Sequence, residues 1–177
     1  MTPLRIAVII GSTREGRFGP TAASWFAARA RRRGFVVDVV DLQLCGEVAD
    51  SLTMADGFVI VTPEINRSFP ASLKAAIDSC YTEWHAKPVT FVSYGRESGG
   101  RHATDQLRLV FAELHAVAIR ADITLPCYWE QFTAEGAWPK PNAPCNAAVE
   151  VVLDQLTWWA RALRDARTRY GKDFQDA

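Results

Sequence analysis

The chain has 177 residues, of which 49% are hydrophobic and 23% are charged, so it can bury a core without a disulfide or a structural metal. Twenty basic side chains balance twenty acidic ones, which argues against a nucleic-acid-binding protein and against an acidic electron carrier. No apolar run approaches the ~20 residues of a membrane span, no signal-peptide pattern opens the chain, and the four cysteines form no C-x-x-C motif. We therefore expect one cytoplasmic domain over residues 1–177, without a metal site and without nucleic-acid or membrane partners.

Strand-like and helix-like segments alternate along the chain. Short apolar runs predict strands over residues 5–10, 35–40, 57–62, 89–93 and 117–125. Apolar residues spaced by three and four predict helices over residues 20–33, 47–54, 72–84, 103–114 and 149–170. Residues 126–146 hold four prolines and predict an irregular stretch, and residues 171–177 predict a frayed tail. This alternation predicts an α/β fold with a doubly wound parallel sheet and helices on both faces.

The first informative loop, GSTREGRFGPT over residues 11–21, leaves a buried strand and opens a helix. Such folds bind ligands beyond the carboxyl ends of their strands, where backbone N–H groups and a helix dipole favour an anion. The P-loop motif is absent, because Arg17 and Phe18 stand where a P-loop has lysine and serine or threonine. The dinucleotide-binding motif G-x-G-x-x-G is also missing. The loop therefore predicts a site for one phosphate, and the alternative is a plain strand-to-helix turn with surface arginines. Its candidate donors are Ser12, Thr13, Arg14, Arg17 and Thr21.

Two later loops occupy equivalent places after the third and fourth strands. The second loop, TPEINRSFP over residues 62–70, is stiffened by two prolines and suits the edge of a flat heterocycle, or is a plain capped turn. The third loop, SYGRESGG over residues 93–100, contains three glycines that allow close backbone approach, and Tyr94 could lie against a ring. Its alternative interpretation is a flexible surface loop.

Together the segments GSTREGRFGP, VTPEINRSFPASLKAAID and SYGRESGGRHATDQLR resemble those of the NAD(P)H-dependent FMN reductase family. The resemblance runs from about Arg5 to Leu114 and implies a flavodoxin-like fold with strand order 2-1-3-4-5 and FMN as cofactor. It implies an enzyme that takes hydride from NAD(P)H and passes electrons to free flavin, a quinone or another small acceptor. It also implies a homodimer or a larger homo-oligomer, paired through the helix over residues 72–84.

The resemblance assigns cofactor-binding residues loop by loop. The FMN phosphate is expected among Ser12, Thr13, Arg14, Arg17, Pro20 and Thr21. The isoalloxazine is expected along Pro63, Glu64, Ile65, Asn66 and Ser68. The other side of the ring and its polar edge are expected at Tyr94, Gly95, Arg96, Ser98, Gly99 and Gly100.

Two departures from the family pattern bear on the substrate. Ile65 replaces the tyrosine that usually precedes the asparagine of the second loop, and the crossover over residues 41–57 is short. Both changes could open the flavin site or adapt it to a specialised small-molecule substrate. No protein acid or base is obligatory for hydride transfer; His102 and Glu64 are the candidates for such a group.

Three further possibilities compete with the reductase. A flavodoxin-like electron carrier would need an acidic docking surface that the balanced charge does not supply. A flavin-binding protein without turnover is suggested by Ile65 alone. A hydrolase lacks the G-x-S-x-G elbow. Arg67 and Arg96 are predicted near the mouth of the site, where they could hold a nicotinamide coenzyme's phosphate.

Overall fold

The computed structural model describes residues 2–44 and 48–175 and builds them around a parallel sheet. The strands follow the order β2-β1-β3-β4-β5, and β6 also pairs with β4, so the predicted order is confirmed. The edge of this sheet that matters here is formed by β1, β3 and β4, whose carboxyl ends lie side by side. The strands are β1 (Arg5–Ile10), β2 (Val36–Asp41), β3 (Gly57–Pro63), β4 (Pro88–Gly95), β5 (Val117–Ala118) and β6 (Ile123–Pro126).

Helices cover both faces of the sheet, as the near-continuous apolar strands require. The core on one face packs α1 and α5 against alternate residues of β1, and the core on the other face packs α2, α3 and α4. Among the described residues, no helix has the length and apolar character needed to cross a bilayer. The helices are α1 (Gly19–Arg32), α2 (Ala49–Met54), α3 (Ala71–Asp78), α4 (Arg101–Glu113) and α5 (Cys145–Gln175), with 3₁₀ turns at Thr82–Trp84 and Tyr128–Gln131.

The predicted fifth strand over residues 117–125 is wrong as one element. Side chains from neighbouring elements take its middle carbonyls: Arg108 Nη1 donates to Ile119 O at 2.7 Å, and Thr90 Oγ1 donates to Ala121 O at 2.7 Å. Arg108 also forms an ion pair with Asp122. These bonds draw the backbone out of the ladder, and the sheet has six strands instead of five.

The helices differ from their predicted bounds at several ends. The helix predicted over residues 72–84 ends at Asp78; Trp84 is still buried, in a 3₁₀ turn, but Tyr81 is 55% exposed instead of facing the core. α2 begins at Ala49, and Glu47, its predicted start, lies outside the described residues. α5 begins at Cys145 and continues to Gln175, so the tail predicted to fray from residue 171 is helical over most of its length.

The irregular stretch before α5 folds back onto the start of α1. Phe18 stacks on Tyr128 with ring centroids 4.1 Å apart, and it meets Trp138 edge-on at 4.8 Å. Tyr94 also meets Phe18 edge-on, at 5.2 Å. This aromatic cluster holds the end of the first loop in place, because Phe18 is the residue directly before α1.

Candidate functional site

The three predicted loops lie at one edge of the sheet. β1, β3 and β4 are neighbours and parallel, so the chain leaves all three strands at the same end. Glu64 N donates to Tyr94 O at 3.0 Å, which joins the second loop to the third. Ser72 Oγ donates to Gly11 O at 2.8 Å and joins the start of α3 to the first loop. The sheet topology thus brings together segments that are far apart in the sequence.

A cleft of ≈ 460 Å³ opens between the first and second loops. The lining includes several predicted residues, among them Ser12 and Arg14 from the first loop and Ile65 and Asn66 from the second. Phe69 and Ser72 also line it but escaped the sequence analysis, because an aromatic residue in a turn and a serine inside a helix carry no binding motif. The full lining is Ser12, Thr13, Arg14, Ile65, Asn66, Phe69, Pro70, Ala71 and Ser72.

The first loop presents only some of its predicted phosphate donors to the cleft. Ser12 is buried at the base of the loop, and its Oγ lies 3.4 Å from Arg14 N. Thr13 and Arg14 are exposed above it. Pro20 and Thr21 belong to the first turn of α1, outside the residues that line the cleft, and Thr21 N is bonded to Phe18 O.

Arg17, which is predicted beside the phosphate, forms an ion pair with an acidic side chain. Its Nη2 lies 2.5 Å from Oδ2 of Asp41, at the end of β2, and the two side chains are only 11% and 15% exposed. Arg17 therefore neutralises the Asp41 carboxylate beside the first loop, and this pairing reduces the positive charge that Arg17 offers to a bound anion. The acidic partner was missed because Asp41 ends a different strand.

Tyr94, which the sequence predicts beside the flavin ring, places its side chain in the core. The side chain is only 4% exposed and packs in the core with Phe18 and Tyr128. Its hydroxyl lies beneath the first loop, where a Cβ added to Gly19 would be 3.2 Å from it. Burial above all, and then the neighbouring Tyr128, raise the pKa of Tyr94, so the hydroxyl keeps its proton.

Polar atoms under the first loop remain without partners. Tyr94 Oη and Arg17 Nε are both buried and make no well-formed hydrogen bond within the described residues, although Gly19 N–H and the Ser12 hydroxyl lie close enough to Tyr94 Oη to act on its pKa. Buried polar groups are nearly always paired, so two orphans at one loop indicate a network that an added acceptor completes. A phosphate that accepts the Ser12 hydroxyl proton leaves the Ser12 oxygen to accept from Tyr94, so the loop fits the phosphate of the FMN that the sequence resemblance implies.

The second loop is a tight hairpin. Ile65 and Ser68 exchange two backbone hydrogen bonds of 2.8 and 2.9 Å. The residues between them, Asn66 and Arg67, have φ of 50° and 63°, as in a type I′ turn. Asparagine tolerates this left-handed conformation, whereas arginine adopts it at a cost of roughly 1–2 kcal/mol. The hairpin therefore presents the backbone and side chain of Asn66 rigidly at the cleft.

Glu64 connects the second and third loops. Its Oε2 accepts from Ser98 Oγ at 2.8 Å and from His102 N at 3.2 Å, and its Oε1 lies 2.9 Å from His102 Nδ1. Burial alone would raise the pKa of Glu64, but the hydrogen bonds from Ser98 and His102 outweigh it and lower the pKa. Glu64 is thus a charged carboxylate at the third loop, and Ser98 donates a hydrogen bond to it.

The third loop owes its shape to its last two glycines. Gly100 has φ of 92°, and a Cβ there would lie 2.6 Å from Ser93 Cβ, a distance at which the backbone must move. Gly99, with φ of 62°, has backbone atoms of β6 at 2.9–3.1 Å from an added Cβ. Both are buried, Gly95 is packed closely against them, and Arg96 is exposed at the loop tip. Within residues 2–44 and 48–175, no group of three or more acidic, histidine or cysteine side chains could hold a metal ion.

Comparisons with known sequences agree with this architecture. A family model described as NADPH-dependent FMN reductase matches residues 4–130. An NAD(P)H-dependent FMN reductase of Schizosaccharomyces pombe is 35% identical over 152 residues, which are 71% of this chain and 75% of that protein. One of Saccharomyces cerevisiae is 34% identical over 140 residues, 60% of this chain and 73% of that protein. A 2-hydroxy-1,4-benzoquinone reductase of a Burkholderia species is 38% identical over 96 residues, 46% of this chain and 52% of that protein.

Solved structures share the fold at lower sequence identity. A flavoenzyme NAD(P)H:(acceptor) oxidoreductase of Paracoccus denitrificans superimposes with a TM-score of 0.71 at 17% identity, covering 90% of this chain and 98% of that one. A flavodoxin of Pseudomonas aeruginosa superimposes with a TM-score of 0.62 at 17% identity, covering 91% and 99%. These likenesses establish the flavodoxin-like fold. With the match over residues 4–130 and the 35% identity to the S. pombe protein, the chain belongs to the NADPH-dependent FMN reductase family.

Proposed function

We propose that this protein uses FMN, held at the first and second loops, to transfer electrons from NAD(P)H to free flavin, a quinone or another small acceptor. Membership of the family makes the chain an oxidoreductase with FMN as cofactor and NAD(P)H as reductant. The bound flavin supplies the redox chemistry, and the protein supplies binding, orientation and electrostatics. The proposal beyond the family concerns where FMN sits and what accepts the electrons.

The observation that carries the proposal is the cleft beside the first loop. At ≈ 460 Å³ it lies within the range of small-molecule sites. Its lining includes Ser12, whose side chain interacts with the buried hydroxyl of Tyr94, and Asn66 of the rigid hairpin. We assign the phosphate to Ser12, Thr13 and Arg14, and the ring edge to the backbone and side chains of Ile65 and Asn66.

Ile65 bears on the choice of acceptor. It lines the cleft and is half-buried, so an aliphatic side chain stands where the family pattern usually has tyrosine. An aliphatic wall offers no hydroxyl donor and favours apolar contact with a second ring. The partial similarity to a hydroxybenzoquinone reductase supports a quinone as one acceptor.

Absorbance and rapid-mixing measurements test the proposal. Purified protein reconstituted with FMN should show the bound-flavin band, and NADPH or NADH should bleach that band within one turnover under anaerobic conditions. A small quinone or free FMN should then restore it. Arg14→Ala should weaken FMN binding, whereas Arg32→Ala, at the far end of α1, removes the same charge as a control. Uptake of FMN without bleaching would instead identify an electron carrier, and no uptake would refute the proposal.

We also propose that the chain forms a homodimer through α3. Its outward face combines the small residues Ala71 and Ala75 with an ion pair between Lys74 and Asp78. Two antiparallel copies of this face bring each lysine towards the other copy's aspartate, and the small residues allow close approach. Ala75→Arg should shift the mass measured by light scattering from dimer to monomer; an unchanged mass would refute this interface.

A further inference from the structure

Arg67 is an exposed arginine at a loop tip whose surroundings nonetheless hold it in place. Its Nη2 lies 2.8 Å from His102 Nε2, on the first turn of α4. Its carbonyl accepts from Gln106 Nε2 at 2.7 Å, and Gln106 Oε1 accepts from Ser68 Oγ at 2.7 Å. The backbone of Arg67 is also left-handed. A conformation of this cost persists where the surroundings impose it, and such sites are often functional.

The contacts of His102 indicate its tautomer and its role. A guanidinium has only donors, so the Nε2 atom that meets Arg67 must be the acceptor. The ring proton is then on Nδ1, where it is donated to the Glu64 carboxylate at 2.9 Å. In this geometry the Nδ1–H tautomer of His102 joins Glu64 on one side to Arg67 on the other. The chain of contacts aims the guanidinium of Arg67.

Arg67 directly follows a residue of the cleft wall in the hairpin. Asn66, the other tip residue of the hairpin, lines the cleft directly. Arg96, in the third loop, and Arg101, which precedes His102 at the start of α4, are also exposed. Glu64, the carboxylate closest to Arg67 in sequence, is occupied by three hydrogen bonds. A guanidinium that donates one N–H to histidine has further N–H groups that can bind an anion. The planar arrangement of these donors matches a phosphate group.

We propose that His102, oriented by Glu64, positions Arg67 to bind a phosphate group of the reduced nicotinamide coenzyme. This rests on the proposed function, because it assumes that the coenzyme enters the same cleft. A dinucleotide carries a pyrophosphate in both NADH and NADPH, and only NADPH adds the 2′-phosphate. Arg67 is a binding residue in this proposal, and His102 and Glu64 act through it as positioning residues.

Steady-state kinetics with a neutral quinone as acceptor separates coenzyme binding from later steps. Arg67→Ala should raise the KM for the coenzyme about tenfold or more, the effect of losing one charge-assisted hydrogen bond, with kcat little changed. A larger increase for NADPH than for NADH assigns the contact to the 2′-phosphate, and an equal increase assigns it to the pyrophosphate. The control Arg32→Ala removes an exposed arginine at the opposite end of the molecule and should leave both KM values unchanged. Unchanged KM values in Arg67→Ala would overturn the proposal.

Two conservative variants of His102 test the positioning role. His102→Asn keeps a donor for Glu64 but is too short to accept from Arg67, so the coenzyme KM should rise. His102→Gln places an amide oxygen near the position of Nε2 and should restore most of the affinity. Equal KM values for the two variants would overturn the positioning role.

The flavin band separates this inference from the proposed function. All four variants should retain bound FMN and should be bleached at saturating coenzyme. If the unmodified chain takes up no FMN, the proposed function fails; if it turns over normally while Arg67→Ala matches it, only this inference fails.

Discussion

Removal of the Tyr94 hydroxyl tests the phosphate site. It should leave the flavin-free protein as stable or more stable, but it should weaken the binding of FMN. Tyr94→Phe removes one oxygen and leaves the ring, which is held edge-on by Phe18 at 5.2 Å and by Tyr128 at 5.4 Å. Without flavin the hydroxyl is buried and lacks a well-formed hydrogen bond, a situation that costs up to about 1–3 kcal/mol. The variant without flavin should therefore be as stable as the parent or more stable. A gain of about 1 kcal/mol raises Tm by roughly 2–4 °C in a chain of this length.

Flavin binding should respond in the other direction. With a phosphate in the first loop, the Ser12 hydroxyl donates to the phosphate, and its oxygen can accept from Tyr94. Removing that neutral hydrogen bond should cost about 0.5–1.5 kcal/mol, which is about a 2- to 12-fold weaker FMN affinity. Ser12→Ala should weaken binding at least as much, because it removes the donor that contacts the phosphate.

Quenching of FMN fluorescence on titration gives the Kd, and thermal unfolding without FMN gives the stability. Tyr128→Phe is the matched control, since it removes a hydroxyl from the ring that stacks on Phe18 and leaves Tyr94 beneath the loop. An unchanged Kd in Tyr94→Phe would refute the network we describe. A fall of several degrees in its flavin-free Tm would show that the hydroxyl is already satisfied.

Three other perturbations follow from the geometry. Gly100→Ala places a Cβ 2.6 Å from that of Ser93 at φ of 92°, so we expect a loss of about 2 kcal/mol or more in denaturant unfolding, together with weaker FMN binding. Asp41→Asn releases Arg17 and removes a negative charge beside the first loop; it should tighten FMN by about 1 kcal/mol in the same titration, and weaker binding would contradict this. Burial lowers the pKa of Lys87 to about 8, below the ordinary value of about 10.4, so the unfolded chain binds more protons and this group makes stability rise with pH between about 8 and 10.4. Lys87→Met should flatten that slope in denaturant unfolding measured across this interval, and an unchanged slope would refute the assignment.

Much of the fold was predictable because it depends on local patterns. Continuous β-branched runs such as Arg5–Ile10 predict strands buried on both faces, and the structure places that strand as predicted. The fifth strand failed because its break depends on Arg108 and Thr90, whose side chains reach it from other elements. Local propensity contains no information about such long-range competition for carbonyl groups.

The candidate site was also predictable only in part. The positions of the three loops follow from the alternation of elements, and their glycines, prolines and hydroxyls suggest ligand binding. The directions of the side chains do not follow, since Tyr94 turns into the core and Arg17 turns to Asp41. A tyrosine in a glycine-rich loop suggests a ring contact until the packing of Phe18 beneath it is known.

The balanced charge argues against a nucleic-acid-binding protein and an acidic electron carrier, and the length of 177 residues indicates one domain. By itself the sequence determined the alternation of strands and helices, the strand ends at which ligands bind, and the resemblance to a flavin reductase, because each depends on short contiguous segments. Only the tertiary structure decided which charges are already paired, which hydroxyl lies unsatisfied beneath the first loop, and that Glu64, His102 and Arg67 form one chain of contacts. Residues 38 positions apart meet there because parallel strands bring their following loops to the same edge of the sheet.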